Sequence, residues 1–245
     1  MTFRRKKLID LLADRAEIHD PEDAVLSGRV LVDGVVVTNP RSLVRADASI
    51  RVAETRRLRG ELKLGAALEA FGVDPSGRVA LDAGAAAGGF TRALLEAGAE
   101  KVYAVDAGHG QLIGSLRQDP RVVNLEGTNL GELDRRLVPD TVEVVTLDLT
   151  YLSLAEAAAQ LAALHVADGA DLLGLVKPAF ELRLPVAPTD TESVRGAVIS
   201  ASRGLEQAGW RVIDSIQSPL FGAGGAAEGF VHARFASTAE REVPG

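Results

Sequence analysis

The chain has 245 residues, of which 47% are hydrophobic and 25% are charged, and its formal net charge is −7. These proportions are typical of a globular protein with a full hydrophobic core, and they exclude a disordered chain and a coiled coil. Charged residues or glycines interrupt every apolar run before ~18 residues, so we expect no transmembrane helix and no membrane partner. The basic N-terminus is not followed by the apolar core of a secretory signal. With no cysteine and four scattered histidines, we expect no disulfide, no metal site and a cytoplasmic location.

The charge is distributed unevenly along the chain. Residues 1–60 contain 12 Lys and Arg against 9 Asp and Glu, so the remaining residues have a net charge of −10. The basic residues cluster at positions 4–7 and 56–59. Such clusters can bind the phosphates of a nucleic acid, although they can also simply solvate a terminus and a linker. Any nucleic acid is therefore expected to contact one restricted face of the protein.

The first part of the chain, residues 1–55, predicts a small α+β domain. Leucines at helical spacing indicate a first helix from Leu8, and Pro21 and Gly28 are placed to begin and end a second helix. Asp33-Gly34 between two runs of valine predicts a hairpin, and residues 49–52 can supply a short closing strand. Residues 56–62, rich in Arg and Glu, predict a linker.

The remainder, residues 63–245, alternates strand and helix patterns. After five strands alternating with helices, and a last helix near residues 192–208, two strands follow as a terminal hairpin. The pattern predicts an α/β fold with a seven-stranded, doubly wound mixed sheet. The predicted strands are Val79–Ala83, Val102–Asp106, Val122–Leu125, Val142–Asp148, Leu172–Val176, Trp210–Ile216 and Phe230–Phe235.

A glycine-rich loop, LDAGAAAGGF at residues 81–90, lies where the first of these strands turns into a helix. Glycines there let the backbone approach a ligand closely, and Asp106 at the end of the second strand can accept hydrogen bonds from ribose hydroxyls. The loop lacks the Gly-x-Gly-x-x-Gly pattern of dinucleotide sites. Asp82 would repel a pyrophosphate but suits a cationic amino-acid tail, so the loop favours S-adenosylmethionine over NAD. A tight turn without a ligand is the alternative interpretation.

Further motifs follow in a characteristic order. They are RGELKL at 59–64, VDAGHGQL at 105–112, RQDPRV at 117–122, Thr128-Asn129, DLTYLSL at 148–154, LVKPAFE at 175–181 and EGF at 228–230. With these motifs the chain resembles the TlyA family, in which a small S-four-type RNA-binding domain precedes an FtsJ-like ribose 2′-O-methyltransferase domain. The resemblance implies a Rossmann-like class I methyltransferase fold, S-adenosylmethionine as cofactor, and ribosomal RNA or a ribosomal subunit as partner.

The resemblance also implies a catalytic tetrad of Lys63, Asp148, Lys177 and Glu228. A ribose hydroxyl is a poor nucleophile until its proton is drawn away, and a positioned lysine can take that proton when burial and a nearby positive charge disfavour its charged form. Lys177 is the candidate for this role, with Lys63 as its like-charged neighbour. Asp148 and Glu228 would hold the lysines and the ribose in line with the methyl group. Each residue also has a structural interpretation, such as a solvated helix residue, a helix cap or an edge-strand charge.

By the same resemblance, a set of residues around the glycine loop and the strand ends would contact the cofactor. It comprises Asp82, Gly84, Gly88, Gly89, Phe90, Asp106, Asn129 and Asp148.

Three departures from the family pattern affect these expectations. Ala86-Ala87 stands where the family has Ser-Thr, which removes hydroxyl contacts to the cofactor. Ala179 replaces a Gln, and residues 182–190 are neither basic nor rich in glycine. Finally, the helix expected to face phosphate contains the acidic stretch 18–23, which would repel RNA.

Three functions therefore stay open. The first is a ribose 2′-O-methyltransferase acting on ribosomal RNA. The second has the same chemistry with a small-molecule acceptor, such as a nucleoside or a natural product. The third is a non-catalytic homologue. Some family members are labelled hemolysins, but the sequence offers no apolar span that would support lysis.

Overall fold

The computed structural model describes residues 5–13, 15, 18, 21–26, 28–52 and 57–236. The chain divides into two compact units. The first comprises Met1–Arg57 with Ile113–Asp119, and the second comprises Leu58–Leu112 with Pro120–Gly245. Within the described ranges, every helix is too short or too polar to cross a lipid bilayer.

The first unit has the predicted order of helices and strands, with two additional short strands. Its elements are β1 (Arg5–Lys7), α1 (Leu8–Ala13), α2 (Pro21–Leu26), β2 (Val30–Val32), β3 (Val35–Val36), β4 (Leu43–Arg45) and β5 (Ile50–Val52). Strands β3, β2 and β5 form one sheet, and β1 pairs with β4 in an antiparallel ribbon that the sequence did not predict. Leu8, Leu12 and Val25 are fully buried in a small core beneath the helices. The Asp33-Gly34 turn has positive φ at both residues, as the predicted hairpin requires.

The second unit has the predicted alternation of strands and helices. Its elements are α3 (Arg59–Phe71), β6 (Val79–Ala83), α4 (Gly89–Glu96), β7 (Lys101–Asp106), β8 (Val122–Glu126), β9 (Val142–Leu147), α6 (Leu154–Gln160), β10 (Val166–Val176), α7 (Pro178–Glu181), α8 (Thr191–Gln207), β11 (Trp210–Gln217) and β12 (Gly229–Phe235). The short helix α5 (Gly114–Gln118) belongs to the segment that groups with the first unit.

The seven strands of the second unit form one mixed sheet in the order β11-β12-β10-β9-β6-β7-β8. Strands β10, β9, β6, β7 and β8 are parallel, and β12 runs antiparallel between β10 and β11. Helix α3 packs against α4, and α6 packs against α8. This sheet confirms the predicted fold class, including the terminal hairpin. Strand β10 begins at Val166 rather than at the predicted Leu172, because its pairing with β9 continues past an irregularity between Val166 and Asp171.

Helix α3 begins inside the segment 56–62 that was predicted as a linker. The Leu58 amide donates to the Glu61 carboxylate, so Glu61 satisfies a backbone donor at the start of the helix. The charge-rich sequence that suggested a linker is thus the first turn of a helix. This start matters for the site, because it fixes the helical position of Lys63 one turn after Arg59.

A buried charged cluster, here called the Asp171 network, connects β10, β12 and the residue before β6 at the end of the sheet where the parallel strands begin. Asp171 accepts hydrogen bonds from Arg78 Nη1 at 2.8 Å and Arg234 Nε at 3.0 Å, and its Oδ1 lies 2.8 Å from His232 Nε2. Burial alone would raise the pKa of Asp171, but the hydrogen bonds from His232, Arg78 and Arg234 outweigh it and hold the pKa well below its usual range. The network stabilises the sheet at the edge opposite the strand ends that build the site.

Candidate active site

The glycine loop brings the ends of β6 and β9 into close contact. Gly84 has φ +89°, and a Cβ at this position would overlap the carbonyl oxygen of Asp148 and lie 2.8 Å from its carbonyl carbon. The Asp148 amide in turn donates to the Ala83 carbonyl at 2.9 Å. Only glycine fits a position with this φ and this approach. The loop therefore places the Asp148 backbone directly beside the first residue after β6.

A cavity of about 380 Å³, here called the glycine-loop cavity, opens beyond these strand ends. Gly84, Asp106 and Asp148 line it, each at the carboxyl end of a parallel strand. Ligands bind at this edge of open α/β sheets, and the volume is within the usual range for a small-molecule site. The cavity is therefore the candidate cofactor site.

Asp106 is held in place by the backbone of two loops. Its Oδ2 accepts the Ala86 amide at 2.9 Å, and its Oδ1 accepts the Gly108 amide at 2.7 Å. A carboxylate offers about four acceptor sites, so two remain for the hydroxyls of a ribose. The free acceptor positions of Asp106 and the close backbone surface of the loop from Gly84 fit what S-adenosylmethionine requires, and Asp106 is the candidate ribose contact.

A second cavity, here called the tetrad cavity, has a volume of about 370 Å³. Lys63, Asp148, Lys177 and Glu228 all line it, although they come from four separate parts of the chain. The two cavities share Asp148, Thr150 and Lys177. The predicted tetrad is thus one cluster, and two of its members stand on the boundary between the cavities.

The tetrad consists of two ion pairs. Lys177 Nζ lies 2.5 Å from Asp148 Oδ1, and Lys63 Nζ donates to Glu228 Oε2. The side chains of Lys63 and Glu228 are only 9% and 6% exposed. Charges are rarely buried in this way without a partner, so each lysine is held by the carboxylate opposite. Lys63 was expected to be a like-charged neighbour of Lys177; the structure lines one cavity with both lysines and pairs each of them with a carboxylate.

Glu228 depends on a second glycine and on Arg59. A Cβ at Gly222 would overlap Glu228 Oε1, so the carboxylate occupies the space that a side chain at 222 would need. The Arg59 guanidinium donates to the carbonyl oxygens of Phe221 and Gly222. One turn of α3 therefore contacts the segment before β12 twice, through Arg59 and through Lys63.

Several residues expected to contact the cofactor lie beneath the loop instead of facing the cavity. Asp82 is fully buried, and it accepts hydrogen bonds from Thr91 Oγ1 at 2.6 Å and Thr146 Oγ1 at 3.0 Å. Burial raises the pKa of Asp82 to about 7, against the lowering effect of these two hydrogen bonds. Phe90 is buried and stacks on Phe230 with ring centroids 6.0 Å apart. Both side chains point into the structure because they fasten the loop to its neighbours.

The other expected contacts have local roles in the structure. Gly88 caps α4 with φ +93°, and a Cβ on Gly89 would come within 2.9 Å of the Gly60 Cα, so α4 packs tightly on α3. Asn129 is exposed, and its backbone and side-chain nitrogens donate to Glu132. Its neighbour Thr128 lines the glycine-loop cavity.

Three residues that line the glycine-loop cavity lie in the quoted motifs but were not predicted to contact the cofactor. They are Gln111, Thr128 and Tyr151, from the loops after β7, β8 and β9. Their positions in the loops that follow parallel strands could have indicated this contact, since those loops all lie at the carboxyl ends of the strands. In the described part of the chain, no three His, Asp or Glu side chains are grouped so as to hold a metal ion.

Comparison with known proteins identifies the family. The model of the FtsJ-like methyltransferases matches residues 56–235. The 16S/23S rRNA (cytidine-2′-O)-methyltransferase TlyA of Mycobacterium tuberculosis is 39% identical over 217 residues, which cover 85% of this chain and 81% of that protein. Hemolysin A of Brachyspira hyodysenteriae is 36% identical over 140 residues, covering 56% of this chain and 58% of that protein.

A solved structure agrees with these sequence relatives. A Streptococcus thermophilus protein with a provisional hemolysin name is 25% identical, has a TM-score of 0.69, and covers 96% of this chain and 90% of its own. The chain therefore belongs to the TlyA family of FtsJ-like methyltransferases, which are S-adenosylmethionine-dependent enzymes.

Proposed function

We propose that the protein methylates a ribose 2′-hydroxyl of ribosomal RNA. The observation that carries the proposal is the wall shared by the two cavities, which contains Asp148 and Lys177. A cofactor on one side and an acceptor on the other would meet at these two residues. The name of the M. tuberculosis relative, with which this chain shares most of its length, supports the ribosomal acceptor.

In the proposed reaction the cofactor supplies an electrophilic methyl group on a sulfonium. Lys177 acts as the neutral amine: the proton that it shares with Asp148 passes to that carboxylate or to solvent, and the free amine then takes the proton of the acceptor hydroxyl as the oxygen gains the methyl group. Asp148 holds the Lys177 amine in place. Lys63 and Glu228 also line the tetrad cavity and orient the ribose. Because the leaving group is already activated, most of the protein's contribution is orientation.

We assign RNA binding to the first unit, with β1 as its contact surface. Arg5, Lys6 and Lys7 are all exposed, and Arg45 on β4 lies opposite Arg5. The acidic stretch 18–23 opposes this assignment, and Glu22 is exposed. His19, Asp20 and the Asp23 side chain lie outside the described residues. If β1 binds phosphate, replacing Lys6 and Lys7 by alanine weakens RNA binding and reduces its dependence on salt.

A small-molecule acceptor is the second candidate, and the lining of the tetrad cavity favours it. Ala179, Ala187, Ala223 and Ala226 contribute apolar surface. The segment 182–190 has only one basic residue, Arg183. A nucleoside or a similar compound could be bound by this surface without the phosphate contacts that an RNA needs.

The experiment measures transfer of a tritiated methyl group from S-adenosylmethionine to purified ribosomal subunits and, separately, to nucleosides. The proposal expects labelled RNA with the wild type and none with Lys177→Ala. Lys101→Ala is the matched control, because Lys101 forms its ion pair with Asp140 away from both cavities. If nucleosides become labelled and RNA does not, the acceptor is a small molecule and the proposal of a ribosomal RNA acceptor is wrong.

A further inference from the structure

Glu181 is not a tetrad residue, but a backbone hydrogen bond connects it to Lys177. Helix α7 is a single turn in which Lys177 is the N-cap and Glu181 is the last residue. The Glu181 amide donates to the Lys177 carbonyl at 3.1 Å, and Pro178 at the first helical position restricts the backbone between them. The position of the Glu181 backbone is therefore coupled to the position of the Lys177 backbone through one helical turn.

The Glu181 carboxylate reaches from this turn to the segment that carries Asp148. Its Oε1 accepts the backbone amide of Leu154, the first residue of α6, at 2.7 Å. Leu154 is itself fixed, because its side chain is buried and fills the space beside Gly174, where a Cβ would come within 2.5 Å of Leu154 Cδ1. The hydrogen bond thus ties α7 to the start of α6.

This tie is needed because the sheet does not hold the two catalytic segments together. In the described residues, the last register pair between β9 and β10 is Leu147 with Gly174. Asp148 and Lys177 both come after that pair: Asp148 follows the end of β9, and Lys177 follows the last two residues of β10, which pair with β12 and not with β9. Beyond the ladder, Asp148 hydrogen-bonds through its amide toward β6 rather than toward β10. A separate contact must set the spacing between the two segments.

We infer that Glu181 is a positioning residue that holds the Lys177 and Asp148 segments at the spacing their ion pair requires. The inference rests on the proposed function only for the acceptor used in the assay. It assigns Glu181 no contact with the acceptor or the cofactor. The surroundings agree with a dedicated role: burial raises the pKa of Glu181 to about 7, against the Leu154 hydrogen bond and with a further increase from Glu156. Glu156 in turn pairs at 3.5 Å with the exposed Arg183.

Two conservative variants distinguish the effect of the length of the Glu181 side chain from the effect of its charge. Glu181→Gln keeps an acceptor oxygen at the same reach without the charge, and Glu181→Asp keeps the charge but is one methylene too short for the 2.7 Å contact. We expect Glu181→Asp to lower kcat about 2- to 10-fold, as for the loss of one ordinary hydrogen bond. The KM for ribosomal subunits and the Kd for S-adenosylmethionine should stay within about twofold. Glu181→Gln should keep most of the wild-type kcat.

Arg183→Gln is the matched control, since it removes the exposed pair with Glu156 and leaves the Leu154 hydrogen bond intact. A loss of kcat in Glu181→Gln that equals or exceeds the loss in Glu181→Asp would overturn the inference, because keeping the reach of the side chain would then preserve nothing. A rise in KM without a fall in kcat would also overturn it.

A second measurement does not depend on the acceptor. Hydrogen exchange of the Leu154 amide should be faster in Glu181→Asp than in the wild type and close to wild type in Glu181→Gln. Unchanged exchange in Glu181→Asp would show that the tie does not exist. If wild-type protein fails to methylate ribosomal subunits but the exchange results hold, the proposed function fails and the tie itself stands.

Discussion

Replacing Gly84 by alanine perturbs the loop at its closest approach to Asp148. The new Cβ would overlap a carbonyl oxygen and lie 2.8 Å from the carbonyl carbon. These are backbone atoms that cannot rotate away, so the end of β6 or β9 must move. The variant therefore disturbs both the glycine loop and the segment that carries Asp148.

Gly77→Ala is a matched control for this variant. Gly77 also has a positive φ, +69°, but no atom lies within 4 Å of the position of its Cβ. Both variants pay the cost of a side chain in the left-handed region, about 1–2 kcal/mol. Only Gly84→Ala adds overpacking, about 1–3 kcal/mol. The free energy of unfolding should thus fall by about 1–2 kcal/mol in Gly77→Ala and by about 2–5 kcal/mol in Gly84→Ala.

Urea unfolding measures the stability of the two variants, and calorimetric titration measures their affinity for S-adenosylmethionine. Gly77→Ala should bind the cofactor as the wild type does. Gly84→Ala should bind at least about tenfold more weakly, since 1.4 kcal/mol corresponds to a factor of ten. If the two variants behave alike in both assays, the close approach of Gly84 to Asp148 does not shape the cofactor site.

Three further predictions concern buried charges. Burial raises the pKa of Asp82 to about 7, so the free energy of unfolding of the wild type falls as pH rises from about 4 to about 7. Over that range the free energy of unfolding of Asp82→Asn should rise relative to the wild type by up to about 4 kcal/mol, and a difference that does not change with pH would contradict this. Gly222→Ala should displace the Glu228 carboxylate from Lys63 and lower kcat at least about tenfold with cofactor affinity unchanged, whereas a normal kcat would refute the assigned role of the pair. Asp171→Asn should lower the free energy of unfolding by about 3–5 kcal/mol at neutral pH. Because the pKa of Asp171 is lowered in the folded protein, the difference in free energy of unfolding between wild type and variant should become smaller below the ordinary Asp pKa, and a difference that grows in acid would contradict the network.

Much of the fold was predictable because its signals are local. The parallel strands of the second unit are rich in apolar residues, and the predicted positions of all seven strands match the structure closely except at the start of β10. Strands β1 and β4 were not predictable, since Arg5–Lys7 consists entirely of charged residues and forms a strand only by pairing with a distant segment. Pairing of this kind is a tertiary effect that no local pattern records.

The site was predictable in membership but not in arrangement. The order of the motifs singled out Lys63, Asp148, Lys177 and Glu228, and the structure brings these four residues to one cavity. The partners within the tetrad could not be read from the sequence, because Lys63 and Glu228 are separated by 165 residues. Asp82 shows the same limit: its place before Gly84 suggested a cofactor contact, but the hydroxyls of Thr91 and Thr146 hold it inward.

The central claim is that this protein forms a ribose 2′-O-methyl group on ribosomal RNA with Lys177 at the reacting hydroxyl. The most direct test is to digest the methylated RNA to nucleosides and determine whether the label is on the ribose oxygen or on a base. We expect 2′-O-methylated nucleosides from wild-type reactions and from the Lys101→Ala control, and none from Lys177→Ala. Label on a base, or full ribose methylation by Lys177→Ala, would contradict it.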